Sequence, residues 1–177
     1  MDLCTNDDYS ELDIDKEDFS ERALPRIRVS SSRIANTSFA NSELSYSAFF
    51  MTKFTGCNLT GTQFIRNTFE QVTFKDCKIE LNSFMFSTFK SVIFINCSFM
   101  DSDFKDTVVD SLEFKNCTLE KLDFHASKIV KKLDISTSKI VSLKGFANLK
   151  GLVISEEQLL SLAPFMANEL GIVVKDN

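Results

Sequence analysis

From Ile34 to Ile129 every fifth residue is apolar. The twenty positions run Ile34, Phe39, Leu44, Phe49, Phe54, Leu59, Phe64, Phe69, Phe74, Ile79, Phe84, Phe89, Phe94, Phe99, Phe104, Val109, Phe114, Leu119, Phe124 and Ile129. An amphipathic helix would space apolar residues by three and four, and a half-buried strand would alternate them. Period five fits neither. It asks for a chain that turns at a fixed interval and returns each central residue to the interior. Two residues before each centre, from Ser32 to Ser127, the chain carries Ser, Thr, Cys or Val, except at Asn67, Asn82, Leu112 and Leu122. Small side chains there predict a second inward-facing site where the chain bends and space is short. The other three places of each unit are mostly polar and form the outer surface.

The cysteines set the length of one circuit. Cys57, Cys77, Cys97 and Cys117 all occupy the small site and recur every twenty residues, which is four units. Identical side chains on successive coils give this spacing, so the repeat predicts a four-sided coil with five residues per side. Stacked coils lie ~4.8 Å apart, like parallel strands. Roughly five of them make a rod about 24 Å long at that spacing. The expected core ladder is Cys57, Cys77, Cys97 and Cys117 on one wall, with Phe54, Phe74, Phe94 and Phe114 as one of the ring columns.

Both ends depart from this rule. Ile14, Phe19, Leu24 and Val29 keep the apolar phase, but Leu12, Glu17, Arg22 and Ile27 fill the small sites. Residues 1–25 therefore read as a loosely ordered acidic lead, bounded by Pro25, with 26–34 as the first strand and 26–154 as the coil. After Ile129, Asp134 falls on a centre while Ile135 and Ile140 come one residue late, predicting a distorted final coil. Residues 155–177 hold a capping helix. Ser155 and Gln158 make a capping box, Glu156 and Glu157 suit the positive helix start, and Gly171 suits its stop. Pro164 predicts a kink or a break. Leu159, Leu162, Phe165 and Met166 exceed one packing stripe, so one face can close the coil while another meets a second subunit. The alternative is a simple cap on a monomer.

Composition narrows the function. Phe occurs 18 times against 5 Gly and 2 Pro, so the chain must bury a large core. The N-terminus lacks the regions of a signal peptide, and no apolar run suffices for a membrane helix, which makes the cytoplasm the expected location. His125, the only histidine, follows a centre and falls on the outer surface. There is no phosphate loop, metal-ligand spacing or nucleophile motif. A line of thiols does not surround a tetrahedral ion, and parallel stacked thiols are poorly angled for disulfides. These features predict a non-enzymatic protein with no cofactor, no metal and no small-molecule substrate.

The unit CNLTG resembles the A-(D/N)-L-x-x repeat of the pentapeptide-repeat family, and the resemblance covers residues 32–129. It implies a right-handed quadrilateral β-helix, an all-β solenoid with a C-terminal α-helical cap. The C-terminal segment is similar to the dimerisation helix of quinolone-resistance (Qnr-type) members, including an LGIVV-like strand at Leu170–Val174, and implies a homodimer. Resistance members of the family act as DNA mimics that occupy the DNA-binding saddle of a bacterial type II topoisomerase, DNA gyrase. Charge does not follow that pattern here. Residues 1–30 hold nine acids and four bases, whereas residues 31–131 hold eleven of each. No loop interrupts the repeat, and no basic stripe predicts direct nucleic-acid binding. A rigid protein-binding scaffold is the competing expectation. Ile65, Met85 and Phe86 fall side by side on the outer surface as a possible partner patch, or else as ladder contacts within the coil.

Overall fold

The computed structural model describes residues 3–175 and is a β-solenoid of about 7 turns closed by one C-terminal helix. At ~4.8 Å per turn its length is about 34 Å. Every named strand pair is parallel with a neighbour one circuit away. Lys53–Thr55 pairs with Thr73–Lys75, so that Phe54 lies over Phe74 in a twenty-residue register. Four columns of such pairings make four sides. At each corner the residue two after a centre has positive φ. This recurs every fifth residue from Asn6 (φ 59°) to Ala126 (φ 58°), with Ser111 the exception.

Left-handed backbone costs an L-residue with a Cβ roughly 1–2 kcal/mol. Gly56 and Gly61 avoid it and the Asn and Asp corners, such as Asn36 and Asn96, lessen it, whereas Tyr46, Met51, Leu81 and Phe86 adopt it despite their bulk. Burial of the centres offsets this strain. Phe54 and Phe74 stack with centroids 4.8 Å apart, Phe74 and Phe94 4.7 Å, and Phe94 and Phe114 5.1 Å. A second column, Phe64, Phe84, Phe104 and Phe124, stacks at 4.7–5.1 Å. Rings of different columns meet edge-on, as at Phe94–Phe99. Each buried ring contributes on the order of 1.5–3 kcal/mol before entropy is counted.

The small site does more than fit a tight bend. Its side chain bonds the carbonyl of a centre in the preceding turn. Ser87 Oγ donates to Phe64 O at 2.7 Å, Thr62 Oγ1 to Phe39 O at 2.7 Å, Ser127 Oγ to Phe104 O at 2.7 Å, and Asn67 Nδ2 to Leu44 O at 2.9 Å. The same groups accept from the turn before, as when the Asn67 amide donates to Ser87 Oγ at 2.9 Å. A buried carbonyl without a partner costs about 1–3 kcal/mol, so the hydroxyls at these sites are hydrogen-bonding groups as well as small ones. One column continues with Val72, Val92 and Leu112; the corners at Gln71 and Ser91 keep their positive φ, and the corner opens only beside Leu112, at Ser111. Val108–Lys115 and Lys128–Asp134 run through it as single strands.

The coil begins earlier than residue 26. Asp8–Ser10 pairs with Arg28–Ser30, and Asp13–Asp15 with Arg33–Ala35, so residues 3–21 form a full turn and not a loose lead. The in-phase apolar residues decide this. Ile14, Phe19 and Leu24 are buried despite the large residues at the small sites, and Leu3 joins them in the core. Segment 26–34 is two strands separated by the Ser31 corner rather than one. These added turns take the rod beyond the five coils and 24 Å expected.

The stumble after Ile129 is one inserted residue. Val109 pairs with Ile129 at a spacing of twenty, and Leu112 then pairs with Leu133 at twenty-one across a bulge. The longer spacing persists through Leu122↔Leu143 and shortens again at Leu133↔Leu152.

Helix α1 (Glu156–Glu169) closes this end. The capping box at Ser155 and Gln158 is present, and Gln158 Nε2 also donates to Ile135 O (2.8 Å) and Ser138 O (2.7 Å) of the last turn. Leu162 is 1% exposed and plugs the lumen. The Glu169 carboxylate accepts from the amides of Gly145 (2.8 Å) and Phe146 (2.7 Å), holding the far end of the helix down. Gly145 (φ 89°) cannot be replaced without strain, because a Cβ there would lie 2.6 Å from the backbone at Phe124 and His125. The helix is continuous through Pro164, whose missing amide falls on the exposed side. Gly171 ends it with φ 68°, and the Ile172 amide donates to Ala167 O at 2.8 Å. Residues 170–174 form no strand, since the single chain offers them no neighbour to pair with. Among the described residues no helix is long and apolar enough to cross a membrane.

Candidate functional site

Cys57, Cys77, Cys97 and Cys117 lie in one buried column, each 1–3% exposed. Thr37 precedes them and Ser138 follows; Cys57, Cys97, Cys117 and Ser138 bond a centre carbonyl of the preceding turn, while Thr37 and Cys77 bond the carbonyl two residues back. Cys97 Sγ donates to Phe74 O and Cys117 Sγ to Phe94 O, both at 3.5 Å, as Ser138 Oγ does to Phe114 O at 2.9 Å. Hydrogen bonding to the adjacent thiols, and then burial, push the Cys77 and Cys117 thiols up, which keeps them protonated. Among the described residues no group of three or more His, Cys, Asp or Glu side chains converges to hold a metal. These thiols are part of the wall, and Phe54, Phe74, Phe94 and Phe114 are part of the filling. The exposed thiol is Cys4.

The outer surface is where chemistry is displayed. Ile65 and Met85 are half-buried neighbours in one column, and the adjoining corner column runs Arg26, Tyr46, Arg66, Phe86. Cations and rings alternate along it. The Arg66 guanidinium sits 5.0 Å from the Phe86 ring centre, and Arg26 lies 5.8 Å from Tyr46. Ile65, Met85 and Phe86 thus belong to a larger strip with two arginines and Tyr46. Sequence reasoning saw the apolar members but not their cationic partners, although the twenty-residue spacing of Arg26, Tyr46, Arg66 and Phe86 was available to find them.

Further along the same side the surface is charged and compensated. Asp103 and Asp123 are neighbours across one ladder, and Lys105 Nζ reaches both, at 3.2 and 3.4 Å. Lys121 pairs with Asp101 at 3.4 Å and Lys131 with Asp110 at 2.9 Å. His125 donates its amide to Asp123 and lays its ring nitrogen against the same carboxylate. Burial works to raise the Asp123 pKa, but the His125 amide and ring and the Lys105 ammonium outweigh it. The carboxyl therefore titrates below its ordinary 3.8.

At the C-terminal end Leu159, Leu160, Phe165 and Leu170 are exposed, and Met166 is partly buried against the last turn. Leu162 was expected at a subunit interface. It faces the lumen instead, because the helix has to insert one large side chain to close the coil.

A family model for the pentapeptide repeat region matches residues 47–124. No curated protein matches the chain. Among solved structures, full-length QnrB1, a plasmid-mediated fluoroquinolone resistance protein, is 17% identical over 93% of this chain and 100% of its own, with a TM-score of 0.34. A pentapeptide repeat protein from the Arabidopsis thaliana thylakoid lumen is 15% identical over 86% of this chain and 75% of its own, with a TM-score of 0.33. HetL, involved in heterocyst differentiation regulation in Nostoc sp. strain PCC 7120, is 7% identical over 86% and 91%, with a TM-score of 0.22.

The lowered pKa of Asp123 fixes a pH window for stability. The charged form is favoured by folding, so its contribution is complete above the ordinary value of 3.8 and lost as pH falls through the lower folded value. Urea denaturation of the wild type and Asp123→Asn should therefore differ at pH 7. The gap should narrow as pH falls below 3.8 and close once it is below the folded value.

Proposed function

We propose that this pentapeptide-repeat protein is a non-catalytic, rigid scaffold that binds another protein along its outer surface. The observation that carries the reading is the strip Tyr46, Ile65, Arg66, Met85 and Phe86. Its corner members Tyr46 and Phe86 hold a strained left-handed backbone and still leave their rings 55% and 46% exposed. Glycine or asparagine would hold the same corners at less cost. Met51 and Leu81 are also bulky at other corners, but Tyr46 and Phe86 each carry an arginine over the ring and adjoin Ile65 and Met85 in one continuous strip. Aromatic residues with arginine are also the usual anchors of protein interfaces.

DNA mimicry directed at a type II topoisomerase draws less support. A mimic needs carboxylates free along its length, and Asp101, Asp103, Asp110 and Asp123 are each paired with lysine.

The double variant Met85→Ser, Phe86→Ser tests the scaffold reading. It should fold with the wild-type circular dichroism spectrum and lose the protein that the wild type retains from native cytosol. Loss of the fold, or unchanged retention, contradicts the reading.

The exposed part of α1, with Leu159 and Phe165 at its centre and Met166 at its margin, is the surface for pairing two copies. Light scattering over a range of concentrations should give twice the 20.0 kDa chain mass, reduced to one chain by Leu159→Glu with Phe165→Glu. A 20.0 kDa species at every concentration contradicts the pairing.

A further inference from the structure

The guanidinium groups of Arg26 and Arg66 are committed to rings and not to acids. Arg28 and Arg33 hold Asp8 and Asp13 at 3.0 and 2.7 Å. Arg26 lies over Tyr46 and Arg66 over Phe86 instead, and among the described residues neither reaches a carboxylate within ion-pair distance. A guanidinium laid on a ring uses its face and leaves its N–H donors pointing out from the edge of the plane. Both side chains are exposed, so these donors open to solvent. Stacking also restrains a long side chain in advance, which lessens what binding must order.

The two donor forks are evenly placed. Arg26 and Arg66 stand in one corner column, two turns apart, and each leans onto the ring one turn further along. Their spacing is therefore about two turns, ~9.6 Å. Tyr46 lies between them in the corner column, and half-buried Ile65 and Met85 run beside it.

Charge around the strip limits what can lie on it. The whole chain has a net charge of −5, yet the stretch from Arg26 to Phe86 displays two cations without partners among the described residues. Of the acids that border it, Glu70 is held by Lys90 at 3.6 Å, which leaves Glu43 across Ser45. After Phe86 the corner column continues with exposed Asp106. The cationic and aromatic stretch thus ends within three turns, about 14 Å. That length suits a few residues of an acidic peptide segment. A long polyanion such as single-stranded nucleic acid would run on past Phe86 into Asp106 and be repelled there.

We propose that the strip binds a short acidic segment of a partner protein. Two carboxylates of that segment pair with Arg26 and Arg66, and an apolar side chain beside them packs on Ile65. This rests on the reading of the strip as a protein-binding surface and names the chemistry of what it binds. A carboxylate meets a guanidinium through paired N–H···O bonds, which fixes the register of the segment along the rod. The spacing also selects a backbone. An extended strand puts residues i and i+3 on opposite faces, whereas polyproline II returns them to one face at about 9.3 Å.

A dye-labelled peptide of Glu-Pro-Leu repeats is the probe, with Gln-Pro-Leu repeats as its neutral match. By fluorescence anisotropy the protein should bind the glutamate peptide at least about tenfold more tightly than the glutamine peptide, and added salt should shrink the difference. Arg26→Gln with Arg66→Gln should abolish the difference and keep the wild-type circular dichroism spectrum. Equal binding of the two peptides overturns the proposal but leaves the scaffold reading in place, because the apolar members then bind without regard to charge. Binding of neither peptide also overturns it, and retention by Met85→Ser, Phe86→Ser then decides the scaffold reading alone. Tighter binding of a thymidine oligonucleotide than of the glutamate peptide contradicts the proposal in favour of a nucleic-acid platform. A glutamate preference that survives in the folded arginine variant contradicts it by placing the acidic contact elsewhere. Should that variant not fold, the two peptides on the wild type decide.

Discussion

A chain that turns a corner every five residues must bring peptide carbonyls round to its buried side, and each of these needs a donor. That requirement orders the rest of the structure. Ser, Thr, Cys and Asn at the small site provide the donor from one turn later, so the interior carries polar ladders running lengthwise between columns of phenylalanine. The two are mutually dependent. The rings can stack at 4.7–5.1 Å only if successive turns hold register, and register is held by hydrogen bonds that a water-filled or loosely packed lumen would weaken.

The ends follow from the same requirement. Gln158 is a side-chain substitute for the next turn, supplying two donors where the coil stops. The continuous strands at Val108–Lys115 and Lys128–Asp134 show the converse. Beside Leu112 the corner flattens at Ser111, and an inserted residue is absorbed there as a bulge. Function then depends on what a stiff, filled rod leaves on its surface. The lumen is occupied by its own side chains, so recognition is left to corners, rims and the helix.

Much of this was legible in the sequence. The apolar period of five, the twenty-residue recurrence of Cys57, Cys77, Cys97 and Cys117, and the capping box at Ser155 each have one physical reading. The first turn was hidden because Leu12, Glu17, Arg22 and Ile27 break the small-site rule there, yet Ile14, Phe19 and Leu24 are buried all the same. The hydrogen-bonding role of the small site was hidden because size alone explains Ser, Thr, Cys and Val equally well. Leu162 could not be separated from Leu159 by pattern, since both lie on an apolar helix and only the geometry of the lumen chooses between them. In the surface strip, the apolar members were visible singly, and their pairing with Arg26 and Arg66 required the corner column to be read as a whole.

The isosteric substitution Thr62→Val tests the central claim most directly. It keeps the shape of the side chain and deletes the hydroxyl that bonds Phe39 O at 2.7 Å. Phe39 O then keeps only the Ser42 hydroxyl and amide as donors, and equilibrium denaturation should report the loss of one hydrogen bond, about 0.5–1.5 kcal/mol. A Thr62→Val stability within about 0.3 kcal/mol of the wild type, inside the range of a neutral surface change, would contradict the account. Packing alone would then be what holds the turns in register.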